Sequence, residues 1–175
     1  MIIPPFLSFI LYNPLRLALT DRQDVLAVSH IGPSTLVLEI GAGNGFFTEV
    51  LAQQAAYVLA VELQRGMVQK LKRRLIKVKG KVHVIQGDIA QVELLPDFFD
   101  VAFLYFSFHE IVKKEEAAKV ILRAVKRGGY ISIFEPTIEV SAAKMERTAS
   151  LFEKMGALRV AERSTLFSRF LLLQK

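Results

Sequence analysis

From Thr35 onward the chain alternates short, fully apolar runs with amphipathic stretches, and this alternation narrows the fold more than any other feature. A strand that is apolar at every position has no solvent face, so it belongs in a sheet covered on both sides. Strands of that kind separated by stretches of helical period read as βαβ units around a parallel sheet. Thr35–Ile40 reads as the first strand, followed by a helix from about Gly45 to Gln54. Tyr57–Glu62 is the second strand, and a basic amphipathic helix then runs to about Lys77. Lys81–Ile85 and Phe99–Tyr105 are the third and fourth. Ala117, Ile121 and Ala124 share one face of the next helix, which ends at Lys126-Arg127 before Gly128-Gly129, a basic last turn followed by glycine. Tyr130–Glu135 is the fifth strand, discouraged from continuing by Pro136. Met145, Ala149, Phe152 and Gly156 lie on one face of a further helix, and Leu158–Glu162 and Leu166–Gln174 are close enough in sequence to pair antiparallel.

The expected fold is therefore α/β, a doubly wound and mostly parallel sheet. Composition agrees: 52% of the 175 residues are hydrophobic and the mean hydropathy is +0.35, as sheets buried on both faces require. That length suits one domain. We expect residues 1–30 to form an apolar cover segment and residues 31–175 the main domain. Met1–Leu19 is apolar, but Pro4, Pro5, Asn13, Pro14 and Arg16 interrupt it and it barely reaches spanning length. It also lacks the basic stretch that opens a signal peptide. It reads as a cover over the domain, or as a patch that meets an apolar substrate, a membrane surface or a second copy of the chain.

Several classes of chemistry are excluded or disfavoured. The absence of cysteine rules out disulfides, thiolate metal sites and cysteine nucleophiles, and fits a reducing cytoplasm. His30, His83 and His109 lie far apart without helix spacing, so no metal site is expected. The net charge is +6, with a cluster at Lys70, Lys72, Arg73, Arg74, Lys77, Lys79 and Lys81. Met67, Leu71 and Leu75 put the apolar stripe of that helix elsewhere, so the cluster reads first as a solvated face and second as a footprint for nucleic acid or anionic lipid.

The sharpest motif is Glu39-Ile40-Gly41-Ala42-Gly43-Asn44-Gly45, which follows a strand and opens a helix. Glycines there allow a tight turn and a ligand close to the backbone. In a doubly wound sheet the turn lies at the carboxyl end of the first strand, in the ligand crevice. The spacing is G-x-G-x-G, with Phe46 at the sixth position of a dinucleotide-binding G-x-G-x-x-G. Glu62 ends the next strand, 21 residues after Gly41, where a carboxylate can accept hydrogen bonds from two ribose hydroxyls.

Val37 through Gly45 resembles the first motif of the class I S-adenosylmethionine-dependent methyltransferases. Val61-Glu62-Leu63 resembles their second motif, Gly87-Asp88-Ile89 their adenine loop, and Phe99-Asp100-Val101 into Phe106 their fourth-strand motif. Leu122 through Arg127-Gly128-Gly129 into Ile133 is similar to the helix, double-glycine turn and fifth strand of the small-molecule branch. Asn13-Pro14-Leu15-Arg16 together with His109-Glu110 resembles the group around the quinone-biosynthesis C-methyltransferases. The resemblance implies a Rossmann-like sheet of seven strands, the last antiparallel, and S-adenosylmethionine as cofactor. It implies that Glu39, Gly41, Ala42, Gly43 and Gly45 shape the methionine side of the site. Glu62 would bind the ribose, Asp88 the adenine amino group, Leu63 and Ile89 the adenine ring, and Phe106 the region of the sulfonium.

Methyl transfer from a sulfonium is an in-line displacement whose leaving group needs no proton, so alignment in a dry site dominates. If a base is used, His109 after the fourth strand and Glu135 at the end of the fifth are the candidates; His109 can equally pack or cap the following helix. Tyr12 and Arg16 are placed to touch cofactor or substrate. Of Phe98, Phe99, Phe103, Tyr105, Phe106 and Phe108, most read as core, with Phe106 and Phe108 the exceptions facing a pocket. The favoured acceptor is a small apolar or lipid-like molecule. DNA is not expected as a partner, and RNA is disfavoured. RNA adenine dimethylases resemble the first motif but carry an Asn/Asp-Pro-Pro-Tyr-like sequence after strand four, where this chain has Phe106-Ser107-Phe108-His109. The glycine loop would also serve a partner subunit that binds the cofactor without turning it over. A nicotinamide oxidoreductase is disfavoured by the G-x-G-x-G spacing.

Overall fold

The computed structural model describes residues 20–78 and 81–175. The expectations placed on Met1–Leu19, including Tyr12, Arg16 and Asn13-Pro14-Leu15-Arg16, and on Lys79 lie outside the described residues. Helix α1 (Arg22–Val28) is capped by Asp21, whose carboxylate accepts from the N–H groups of Gln23 and Asp24. Strand β1 (Leu36–Ile40), α2 (Thr48–Gln54), β2 (Tyr57–Glu62), α3 (Arg65–Arg74) and β3 (Val82–Gln86) form the first half. Strand β4 (Phe99–Tyr105), α4 (Lys114–Ala124), β5 (Val125–Pro136), α5 (Ala142–Glu153), β6 (Leu158–Ser164) and β7 (Ser168–Gln174) form the second.

The seven strands lie in the order β3-β2-β1-β4-β5-β7-β6. Strands β1 to β5 pair parallel, and β7 inserts antiparallel between β5 and β6. The order reverses between β1 and β4, so the crevice of a doubly wound sheet opens at the carboxyl ends of these two strands.

Alternation along the strands sorts the core into two layers. Leu38, Leu59, Ala102, Leu104, Ile131 and Ile133 face α4 and α5, where Ile121 and Phe152 are fully buried. Val37, Val58, Val101, Phe103 and Phe134 face the opposite layer, built on Leu26 of α1 and Val50 and Leu51 of α2. Within the stretch expected to be a cover, residues from Arg22 onward thus form a helix whose Leu26 is sealed against the sheet. On α3 the stripe is Met67, Val68 and Leu71, while Lys72 and Arg73 face solvent. Among the described residues no helix is long and apolar enough to cross a membrane.

Several element boundaries differ from expectation, among them β5, which starts at Val125 rather than Tyr130 and takes in Pro136 as its last residue, opposite Ser168. Helix α2 begins at Thr48, because Gly45 adopts φ +91° and cannot continue a right-handed turn. Helix α4 ends at Ala124 rather than at Lys126-Arg127. Val125 instead enters the sheet opposite Phe99, and the Lys126 ammonium lies 2.7 Å from the Asp100 carboxylate. The basic residues therefore serve the strand, and the double glycine absorbs an irregularity in it. Gly156 lies past the end of α5 with φ +97°.

Candidate functional site

The turn leaving β1 is sewn to the turn leaving β4. The Ser107 hydroxyl donates to the Ile40 carbonyl at 2.8 Å. Gly41, at φ +73°, sits so close that a Cβ there would come within 2.4 Å of Ser107 Cβ. Only glycine fits, for conformation and for space alike. Gly45 answers a different need: a Cβ there would lie 2.8 Å from Leu71 Cδ1, so the third glycine lets α3 approach the loop.

Two buried acids face this turn. Glu62 is 6% exposed; its carboxylate accepts from the Gly43 N–H at 2.9 Å and the Gln64 N–H at 2.8 Å. Burial pushes its pKa up, opposed by the N–H groups of Gln64, Gly43 and Leu63. Glu39 is 3% exposed and accepts from the Thr48 hydroxyl at 2.6 Å. Burial pushes its pKa up to about 8; the Thr48 hydrogen bond opposes the rise and the charge of Glu62 adds to it. A pair of desolvated carboxyls at a cleft favours a ligand that brings positive charge and hydroxyl donors.

The cleft has two joined halves. One is lined by Glu39, Gly41, Ala42, Gly43 and Phe106. The other is lined by Leu63, Gly87, Asp88, Ile89 and Val112. Ile40, Gly41, Glu62, Gln64, Ser107 and Glu110 border both. Asp88 holds its turn by accepting from the Ala90 N–H at 2.9 Å. Leu63, 53% exposed, and buried Ile89 supply apolar walls on that side. Of the residues proposed for the cofactor, Gly45 alone lines neither half.

Phe106 is a non-glycine residue at φ +58°, its N–H donating to the Phe134 carbonyl at 2.8 Å. Its ring stacks on Tyr105 with centroids 4.2 Å apart. Both rings also wall a second cavity, which continues past Phe134, Phe170 and Phe167 toward Val25 and Arg163. Phe108 borders neither of these cavities: it is buried against Phe152, at 5.5 Å between centroids, and lines instead the separate cavity of His109 and Glu135. The first turn after β4 rotates it into the layer beneath α5.

His109 and Glu135 are brought together, but away from both cavities. Glu135 is 1% exposed. One of its oxygens accepts from the His109 N–H at 3.0 Å and the other bonds His109 Nδ1. His109 Nε2 lies 3.3 Å from the Glu139 carboxylate. The pair lines a separate charged cavity beside Lys114, Lys144 and Arg147. Burial alone would lower the His109 pKa; the hydrogen bond and charge of Glu135, with the charges of Glu139 and Glu110, outweigh it and raise the value.

Ser107 and Gln64 line the cleft without having been singled out from the sequence, and Glu110, named there only as a motif residue beside His109, joins them. Their positions just past β4 and β2 were the available signal, since residues at the carboxyl ends of strands flanking the switch point face the crevice.

A family model described as "Methyltransferase domain" matches residues 38–133. The "Probable ribosomal RNA small subunit methyltransferase A" of Methanosarcina barkeri is 43% identical over 74 residues, 42% of this chain and 25% of that protein. The "Ubiquinone/menaquinone biosynthesis C-methyltransferase UbiE" of Vibrio parahaemolyticus is 28% identical over 136 residues, 72% of this chain and 52% of that protein. The chain thus spans about a quarter to a half of the length of these curated relatives. A crystal structure of a SAM-dependent methyltransferase from Aquifex aeolicus has the same fold, with a TM-score of 0.84, 22% identity, and coverage of 98% of this chain and 99% of that one.

Proposed function

The chain belongs to the class I S-adenosylmethionine-dependent methyltransferase family, and on that premise we propose that it transfers a methyl group from S-adenosylmethionine to a small apolar or lipid-like acceptor. The observation that carries this reading is the position of Phe106, whose ring lines both the glycine-loop cleft and the aromatic cavity. A donor in one and an acceptor in the other meet at that wall.

The residues present fit the cofactor. A carboxylate offers about four lone-pair sites, so Glu62, engaged with backbone N–H groups, keeps acceptors for two ribose hydroxyls. At Gly43 nothing lies nearer than 4.0 Å to where a Cβ would stand, so the backbone there is open to the ligand, and Glu39, held protonated by burial, ionises against an incoming ammonium or sulfonium. Asp88 accepts from an adenine amino group, with Leu63 and Ile89 against the ring. When bound, the cofactor supplies a methyl group on a positively charged sulfur. Tyr105 and Phe106 exclude water from the junction and orient the acceptor, and alignment of this kind can supply up to roughly 7–11 kcal/mol. The setting that goes with this reading is the cytoplasm, with the acceptor drawn from solution or from a membrane face.

A second reading, RNA methylation, is favoured by the name of the Methanosarcina relative and by the basic balance. The two separate in one experiment: the chain is incubated with methyl-labelled S-adenosylmethionine and either a lipid and small-molecule extract or ribosomal RNA. Label in the organic-soluble fraction, reduced at least tenfold in Phe106→Ala, is expected. Label in RNA alone would overturn the small-acceptor reading.

A further inference from the structure

The turn Phe106–Glu110 carries three residues that border the cleft, namely Phe106, Ser107 and Glu110. It is held in a strained shape, with Phe106 in the left-handed region. Such a conformation persists only where its surroundings over-determine it. Here the end of β5 supplies most of the restraint. The Phe134 carbonyl takes the Phe106 N–H, and the Glu135 carboxylate takes both the backbone N–H and the ring Nδ1 of His109. On the other side the Lys114 ammonium donates to the His109 carbonyl at 3.0 Å. An acid this buried has few roles open to it, and both of its oxygens point at one residue.

We propose that His109 and Glu135 are a positioning pair, which clamps the β4 exit turn to β5 so that Ser107, Glu110 and Phe106 are presented to the cofactor, and that neither takes part in the chemistry. The proposal rests on the methyltransferase reading and adds to it the device that fixes the cleft wall. Glu135 is separated from His109 by 26 residues but arrives beside it because β4 and β5 pair in parallel. A base would need to face the acceptor; this imidazole instead has one nitrogen on Glu135 and the other toward Glu139.

The charged groups facing His109 are Glu135 on β5, Glu139 in the turn after it, Glu110 on its own turn, Lys114 on α4, and Lys144 and Arg147 on α5. The carboxylates hold the ring protonated above its ordinary range. The clamp is therefore strongest below the raised pKa and loosens as pH climbs through it. Glu39 and Glu62 also titrate at the cleft, so the informative quantity is the ratio of wild-type to variant affinity at each pH, in which their contributions cancel.

The test uses the full chain. Amide hydrogen exchange of residues 106–111 is compared in wild type, Glu135→Ala, Glu135→Gln and His109→Gln. The affinity for S-adenosylhomocysteine is measured alongside from about pH 6 to 9, the range in which a raised histidine titrates. Glu135→Ala is expected to speed exchange across the turn and weaken binding roughly tenfold, and His109→Ala added to it to cost little more, as for residues acting as one unit. Glu135→Gln and His109→Gln, which keep a hydrogen bond, are expected to bind nearly as wild type at high pH and to lack its extra affinity at low pH. A folded Glu135→Ala with unchanged exchange and affinity would overturn the proposal. So would a His109→Gln variant that binds as wild type at every pH yet no longer transfers methyl, since the imidazole would then be the base. Should Glu135→Ala fail to fold, the two glutamine variants decide: affinity ratios flat with pH overturn the clamp. Should wild type bind no adenosyl ligand, the methyltransferase reading fails separately, and the exchange comparison still decides the pair.

Discussion

Glu39 shows how much of a site can rest on one residue's surroundings. Alternation along β1 turns it toward α2, where the Thr48 hydroxyl is its partner, and burial raises its pKa from 4.5 to about 8. A carboxyl raised in the folded state contributes stability that is fully present below about 4.5 and lost as pH rises to and through about 8. Glu39→Gln, which keeps the acceptor without the charge, is expected to flatten that decline. Thermal midpoints from acid to mildly alkaline pH should show wild type falling relative to the variant, and parallel curves would contradict the raised pKa. The placement of this acid and of Glu62 was legible in the sequence, because each sits at a fixed offset from a strand end. Ser107 was not legible. Its part in the site comes from the neighbouring positions of β1 and β4, which nothing local encodes.

At the scale of elements, the β1 and β4 exits are fitted to each other rather than merely adjacent. Gly41→Ala places a methyl group 2.4 Å from Ser107 Cβ at φ +73°. The conformation alone costs roughly 1–2 kcal/mol, and overpacking adds about 1–3 kcal/mol. Gly43→Ala, whose added Cβ has nothing nearer than 4.0 Å, should lose only the first of these. Urea unfolding should thus rank Gly41→Ala well below Gly43→Ala, and equal midpoints would contradict the close approach. The elements themselves were legible from periodicity, because apolar strands and amphipathic helices carry opposite patterns. Their ends were less so. Helix α4 stops short of its basic residues because Val125 and Lys126 find partners on β4. The same pairing of β4 with β5 brings Glu135 to His109, a meeting that two well-separated residues could not announce in the sequence.

At the scale of the whole molecule, the strand order reverses between the parallel β1 and β4 and gathers the glycine loop, both acids, the β4 turn and the aromatic wall at one edge. The α/β class, the parallel core and the antiparallel last strand followed from sequence pattern and resemblance. The aromatic cavity did not, since Phe134, Phe167 and Phe170 are far from Phe106 in sequence and converge only through the β4-β5-β7 neighbourhood. The central claim is that this edge holds an adenosyl cofactor through Glu62. The most direct measurement is a calorimetric titration of the full chain with S-adenosylmethionine, S-adenosylhomocysteine and NAD, repeated on Glu62→Ala. Saturable binding of both adenosyl ligands is expected, with none of NAD, and weakened roughly tenfold or more in the variant, as for loss of a hydrogen bond to a charged group. No binding of either adenosyl ligand, or binding indifferent to Glu62, would contradict it.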